Sequence, residues 1–198
     1  NNECRPEMLE QFGMMGSVYM QKVMGVQKPR IGLANVGTEP QGLEYVSSFA
    51  LTGIEKEGML STDDKMRVWY PHNGWQREMQ WESYTFPQLG LARCQPEEIQ
   101  RSSKVIGATN IGNWSTKEYL PMGLLENTET GSNLFWQIEH NGSWHWEISD
   151  QMGNFYIQLS GPTETESHWW KNLQPGETFT TVPVCVGSTL GKFDDAMG

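Results

Sequence analysis

The chain has 198 residues, a formal charge of −10, a pI of ≈ 4.8 and a mean hydropathy of −0.57. That length fits one domain, or one domain and a fragment, with enough chain to bury a sizeable core. The acidic balance excludes the basic footprint that nucleic acid or an anionic membrane surface would need, and nine Trp argue against disorder.

The first element in chain order is a helix. Pro6 suits a first helical turn. Met8, Phe12, Met15, Tyr19 and Val23 then fall on one face at helical spacing. Gly25 is a reasonable C-cap, and Pro29 blocks continuation. The short apolar run Ile31 to Val36 reads as a buried strand, which makes helix plus strand half of a parallel α/β unit. Gly13-Met-Met-Gly16-Ser17 lies inside the predicted helix, where small residues permit close packing. It is not a phosphate loop, and no P-loop, dinucleotide fingerprint or nucleophile elbow occurs elsewhere.

Composition shifts at residue 41. Residues 1–41 hold four basic and four acidic residues, five of the eleven Met and no Trp; residues 42–198 hold ten basic and twenty acidic residues and all nine Trp. Pro40-Gln41-Gly42 is the predicted seam.

Beyond the seam the pattern is β: short aromatic or β-branched runs punctuated by Gly, Asn, Ser and Pro. Asn141-Gly142 is a strong two-residue turn signal, so Leu134 to Ser149 is predicted as a hairpin. Its register would put Leu134, Trp136, Ile138, His140, His145 and Glu147 on one face, with Phe135, Trp144, Trp146 and Ile148 on the other. Phe155 to Leu159 is a second strand unit. Phe179 to Val186 is a third, preceded by the turn Gln174-Pro-Gly-Glu177. Regular short strands without a long periodic helix predict a sandwich or barrel.

His140, His145 and Glu147 could converge on a metal from one hairpin face, but polar residues on a half-covered sheet also bond one another. Of the five Asp, Asp63-Asp64 and Asp194-Asp195 look like loop charge, and no Asp, Asp150 included, pairs at the end of an apolar strand as a glycosidase requires. The Trp residues carry the strongest signal. Trp75, Trp81, Trp114, Trp136, Trp144, Trp146, Trp169 and Trp170 lie among polar and Gly-rich neighbours, where ring faces suit sugar C–H faces; most are expected to pack in the core. Asn113-Trp-Ser115 and Asn141-Gly-Ser143 match the glycosylation pattern by chance, since no secretory signal opens the chain. Cys4, Cys94 and Cys185 fit neither a disulfide framework nor a zinc spacing. A reducing, cytoplasmic compartment is therefore expected. The longest uncharged stretch near the start, Gln11 to Met20, is too short to cross a bilayer. The chain begins at Asn1 without Met and reads as a piece of something longer.

Two resemblances follow, each on its own residues. Gln11-Phe12, Met15-Gly-Ser-Val-Tyr19, Pro29-Arg30-Ile-Gly-Leu33 and Asn35-Val36-Gly37-Thr38-Glu39 resemble an internal segment of the bacterial phosphate acyltransferase of phospholipid synthesis. That family implies an α/β transferase making acyl phosphate from acyl carrier protein.

Ser47-Ser-Phe-Ala-Leu-Thr-Gly53, His72-Asn-Gly-Trp75, Glu78-Met-Gln-Trp81, Asn113-Trp-Ser-Thr-Lys-Glu-Tyr-Leu-Pro-Met122, Trp136-Gln-Ile-Glu-His-Asn-Gly-Ser-Trp144, Gly161-Pro-Thr-Glu164 and Pro175-Gly-Glu177 resemble the N-terminal β-supersandwich of family 36 α-galactosidases.

Together they imply a mainly β chain: an acyltransferase-like helix–strand fragment at 1–41, then a partial supersandwich at 42–198. The second resemblance implies a retaining glycosidase whose two catalytic Asp lie in a (β/α)₈ barrel outside this chain, so no catalytic residue, metal or cofactor is assigned here. It implies α-galactosides as substrates of the parent enzyme, reached through that barrel, and a homo-oligomeric parent. Trp75, after the run Met66 to Tyr70, is the residue expected to face sugar. The alternatives are an acyltransferase fragment and a free-standing carbohydrate-binding module. A chimeric or misassembled reading frame accounts for two unrelated pieces in one chain. A sandwich short of its first strands would expose sheet edges and self-associate.

Overall fold

The computed structural model describes residues 32–91, 104–151 and 153–197. The predicted helix from Pro6 to Gly25, Cys4 and Cys94 lie outside the described residues. Those residues are mostly β, and two antiparallel sheets face one another as a sandwich.

The strands are β1 Gly32–Ala34, β2 Gln41–Leu43, β3 Ser47–Thr52, β4 Met66–His72, β5 Gln80–Thr85, β6 Val105–Asn110, β7 Met122–Asn127, β8 Ser132–Ile138, β9 Trp144–Gln151, β10 Asn154–Ser160, β11 Lys171–Leu173, β12 Thr178–Thr180 and β13 Val184–Leu190. One sheet runs β3-β10-β9-β6 and the other β13-β8-β7-β4-β5; β1 pairs with β12, and β11 with β2.

The period-two alternation of each strand builds the core. Trp144, Trp146 and Ile148 of β9, with Phe155, Ile157 and Leu159 of β10, point inward from the first sheet. Val68, Leu125, Trp136 and Ile138 meet them from the second. Trp136 and Trp146 cross edge to face at 5.3 Å, and Phe86 meets Phe155 the same way at 4.9 Å. Gly123, opposite Trp136 in the ladder, leaves room for that indole: a Cβ there would fall 2.3 Å from Trp136 Cζ2.

The predicted hairpin from Leu134 to Ser149 does not form. β8 pairs with β7 and β13, whereas β9 pairs with β10 and β6, so Glu139 to Ser143 carries the chain across from one sheet to the other. Both neighbours of β8 are already taken, and Glu139 N donates to Pro183 O at 2.9 Å instead of turning back. The inward and outward sets within each strand are as expected. The two aromatic sets, however, confront each other through the core and do not occupy opposite faces of one ribbon.

The predicted unit Phe155 to Leu159 is β10. The predicted unit Phe179 to Val186 is split into β12 and β13 around Pro183, which has no N–H for a ladder. The turn before it is as expected: Glu177 N donates to Gln174 O at 2.9 Å, with Gly176 at φ 79°.

The described part of the run Ile31 to Val36 does not pair in a parallel unit. β1 is three residues long and runs antiparallel to β12, and Val36 is 96% exposed. Asn35 is buried and polar: its carboxamide donates to Leu173 O and Glu39 O, both at 2.8 Å, and its backbone exchanges bonds with Glu177 O and Gly176 N. These bonds tie residues 32–43 to the β11–β12 region.

Three one-turn α-helices, Thr62–Lys65, Glu164–Ser167 and Phe193–Met197, and a 3-10 turn at Pro87–Leu89 complete the described structure. In the last α-helix, Phe193 stacks on Trp69 at 4.3 Å and meets Trp81 edge-on at 5.1 Å, covering the outer face of the five-stranded sheet.

Candidate functional site

Loops at one end of the sandwich form a rim of exposed aromatic and apolar side chains. Between β4 and β5 the chain turns through residues 73–79, with Arg77 N bonded to Gly74 O at 3.0 Å and left-handed backbone at Gln76 and Met79. The Asn73 side chain locks this turn to the next loop. Its Nδ2 donates to Thr116 O at 2.5 Å, its Oδ1 accepts from Met79 N, and its backbone N donates to Glu118 O. Trp75 stands at the tip of the turn, 84% exposed.

The neighbouring loop, residues 111–121, is held as firmly. Trp144 Nε1 reaches out of the core to Ser115 O at 2.7 Å, Gly112 N donates to Ser143 Oγ at 2.9 Å, and Leu120 N donates to Pro71 O at 3.2 Å. It presents Trp114, 54% exposed, and Ile111. Side chains held out by fixed loops lose little further freedom on binding, which favours their use as contacts.

Below the rim, Tyr70, His72, Tyr84 and Tyr119 pack ring against ring at 5.0–6.0 Å around the Glu82 carboxylate. Tyr84 donates to Glu82, whose carboxylate lies 3.6 Å from His72 Nε2. The Glu82 bond pushes the Tyr84 hydroxyl pKa up to about 12; burial raises that of Tyr70. Both phenols therefore stay neutral donors throughout the physiological range. The sequence reading did not single out this cluster. Its signal was available in the alternation of Tyr70 and His72 on β4 with Glu82 and Tyr84 on β5.

His140, His145 and Glu147 do not meet on one face. His145 and Glu147 do share the outer face of the first sheet, with His145 Nε2 at 3.1 Å from Glu147 Oε2, but His140 lies in the crossing between sheets. Thr109 Oγ1 takes the other His145 nitrogen at 2.7 Å, and Tyr156 donates to Glu147 Oε1 at 2.8 Å. Hydrogen bonds from His145 and Tyr156 hold the Glu147 pKa below its ordinary value; burial and the Glu147 bond raise that of Tyr156. Among the described residues no group of three His, Cys, Asp or Glu is placed to hold a metal.

Asp150 belongs to a strand. It sits buried at the end of β9 and accepts from Gly153 N at 3.1 Å, closing the β9–β10 turn. Trp136, Trp144 and Trp146 are core residues, whereas Trp170 is exposed. At the opposite end of the sandwich a cleft of about 500 Å³ opens between Leu51, Met66, Leu134 and Leu190, with Asn127 and Asn133 among its polar walls. No helix among the described residues is long and apolar enough to cross a membrane.

Comparison with known proteins gives two kinds of match. Its structure is similar to the α-galactosidase from Lactobacillus brevis (TM-score 0.63, 15% identity), covering 83% of this chain and 19% of that one. It is similar to the family 36 α-galactosidase AgaA from Geobacillus stearothermophilus (TM-score 0.61, 19% identity), covering 81% and 19%. The galactosidase domain of the α-galactosidase–sucrose kinase AgaSK gives a TM-score of 0.61 at 18% identity, covering 80% and 19%. The chain shares its fold with part of each α-galactosidase.

The sequence profile of the fatty acid synthesis protein family matches residues 1–50. The phosphate acyltransferase of Synechococcus sp. (strain JA-3-3Ab) is 60% identical over 40 residues, 20% of this chain and 11% of that protein. That of Clostridium acetobutylicum is 37% identical over 59 residues, 30% and 18%. The chain thus spans about a fifth of the solved structures it resembles and about a ninth of the first of these acyltransferases.

Proposed function

We propose that the sandwich is the non-catalytic β-domain of an α-galactosidase-like glycoside hydrolase, and that its rim contacts α-galactosides through Trp75. The observation that carries this reading is the fold shared with α-galactosidases over four fifths of the chain. The rim geometry supports it: an indole 84% exposed on a turn fixed by Asn73 offers a flat apolar face, with Gln76 beside it for hydroxyls. Variants of AgaA have been solved with raffinose and with stachyose. Raffinose-type oligosaccharides are accordingly the substrate class we assign to the parent enzyme. We assign catalysis to the parent's barrel, where paired carboxylates would flank the scissile bond. We place the parent in the cytoplasm of a bacterium and read it as a homo-oligomer.

A second reading rests on residues 1–50 alone: their identity to phosphate acyltransferases supports an origin in such an enzyme, with acyl phosphate as its product. One test separates the readings. The purified chain is titrated with raffinose by calorimetry, then assayed with an aryl α-galactoside and with acyl carrier protein thioester plus phosphate. Weak raffinose binding, lost in Trp75→Ala, with no turnover in either assay is expected. Aryl galactoside turnover overturns the non-catalytic assignment, acyl phosphate formation favours the second reading, and absence of binding removes the rim from the proposal. Binding that survives Trp75→Ala moves the sugar contact to another residue, and a free-standing binding module then fits better.

A further inference from the structure

The sequence contains the tripeptide His-Asn-Gly twice, at His72-Asn73-Gly74 and His140-Asn141-Gly142, and the fold treats the two differently. The Asn73 carboxamide is fully engaged: Nδ2 donates to Thr116 O and Oδ1 accepts from Met79 N. Asn141 is exposed in the crossing from β8 to β9, and its carboxamide makes no hydrogen bond among the described residues. Because that crossing is not a hairpin, no tight two-residue turn fixes the Asn141 and Gly142 dihedrals. The Gly142 carbonyl alone is held, by Asn110 Nδ2 at 3.2 Å. Gly74 has open space around it, whereas a Cβ on Gly142 would lie 2.7 Å from His140 Nε2, so an imidazole rests against the Gly142 backbone.

We infer that Asn141 is a site of spontaneous, structure-selected deamidation and isomerisation, and that Asn73 is protected. The Gly142 amide nitrogen gives up its proton to a nearby base and attacks Asn141 Cγ. A new C–N bond forms, the bond from Cγ to the carboxamide nitrogen breaks, and that nitrogen leaves as ammonia with the proton it gains. The product is a five-membered succinimide. Water opens the ring at either carbonyl to give isoaspartate or aspartate, so the net change is asparagine plus water to an acid plus ammonia. Glycine favours the step because no Cβ hinders its nitrogen or restricts the dihedrals that bring it to Cγ. At Asn73 two hydrogen bonds restrain the carboxamide, and they must break before Cγ can move freely into the near-attack approach that reaction requires.

The modification adds one negative charge to a chain already at −10. It also lengthens the backbone by one carbon where isoaspartate forms. Both changes fall in the segment that anchors the loop carrying Trp114, through Asn110 to Gly142 O and Gly112 N to Ser143 Oγ.

The test is incubation of the purified folded chain at neutral pH and body temperature, with peptide mapping by mass spectrometry at intervals. Each deamidation adds about 1 Da, and isoaspartate is confirmed by enzymatic methylation. A parallel sample is held in concentrated urea. The folded chain is expected to modify Asn141 at least about tenfold faster than Asn73, and urea is expected to bring the two rates close together. Equal rates in the folded chain, faster reaction at Asn73, or a difference that persists unchanged in urea would each overturn the inference. So would an Asn141 that stays intact while both sites react in urea.

Discussion

Trp146 and Trp75 are the same residue in opposite circumstances. Trp146 is fully buried between the sheets, edge-on to Trp136 at 5.3 Å, whereas Trp75 stands 84% exposed on a turn pinned by Asn73. One holds the two sheets together; the other contributes little to folding and is free to meet a ligand. Their difference shows that a tryptophan-rich composition carries no function by itself. A ligand can reach only the tryptophans that the fold leaves exposed.

Removing the core indole is the harshest way to break the comparison. Trp146→Ala is expected to cost about 3–5 kcal/mol, through lost burial and the cavity left behind. Chemical denaturation would show it as an early midpoint with an unchanged slope. Gly123→Ala attacks the same layer from the other side, because its methyl would meet Trp136 Cζ2 at 2.3 Å. A loss of about 1–3 kcal/mol is expected from such overpacking, and a neutral result would mean that the indole has room to shift.

Glu147 sharpens the comparison on the outer face of the first sheet. Its folded pKa lies below the unfolded value, through hydrogen bonds from His145 and Tyr156. The stability it contributes is therefore present above the unfolded carboxylate pKa of about 4.3 and is lost as pH falls through the lower folded pKa. Glu147→Gln should flatten the acid limb of a melting-temperature profile and lower stability at neutral pH. An unchanged acid limb would show that other carboxylates dominate it. Trp75→Ala is the smallest perturbation to folding, within about 0.5 kcal/mol as for most exposed positions, while sugar binding weakens. A large fall in melting temperature would place Trp75 among the structural tryptophans.

What the sequence made legible was the local part of the fold. Alternation sorted Trp144, Trp146 and Ile148 from His145 and Glu147, and the Gln174 to Glu177 turn formed where its Pro and Gly placed it. The pairing of strands was not legible. Asn141-Gly142 is a strong local turn signal, yet β8 finds its partners in β7 and in β13 some fifty residues away, because burial of both sheet faces outweighs the preference of one dipeptide. Asn35 was hidden for a related reason. In sequence it interrupts an apolar run, and hydrogen-bond partners that include Leu173 and Glu177, both distant in the chain, make its burial favourable. Of the candidate site, the exposed turn after Met66 to Tyr70 could be read from His72-Asn-Gly-Trp75. Its clamp to Thr116 and Glu118 could not, since that contact joins residues forty apart.

The most direct test of the account is the set of indole N–H resonances of the nine tryptophans, assigned by substitution and followed during raffinose addition. The account predicts that the Trp75 signal moves in a saturable way while those of Trp136, Trp144 and Trp146 stay fixed. A Trp75 signal that never moves, or shifts confined to the core tryptophans, would contradict it.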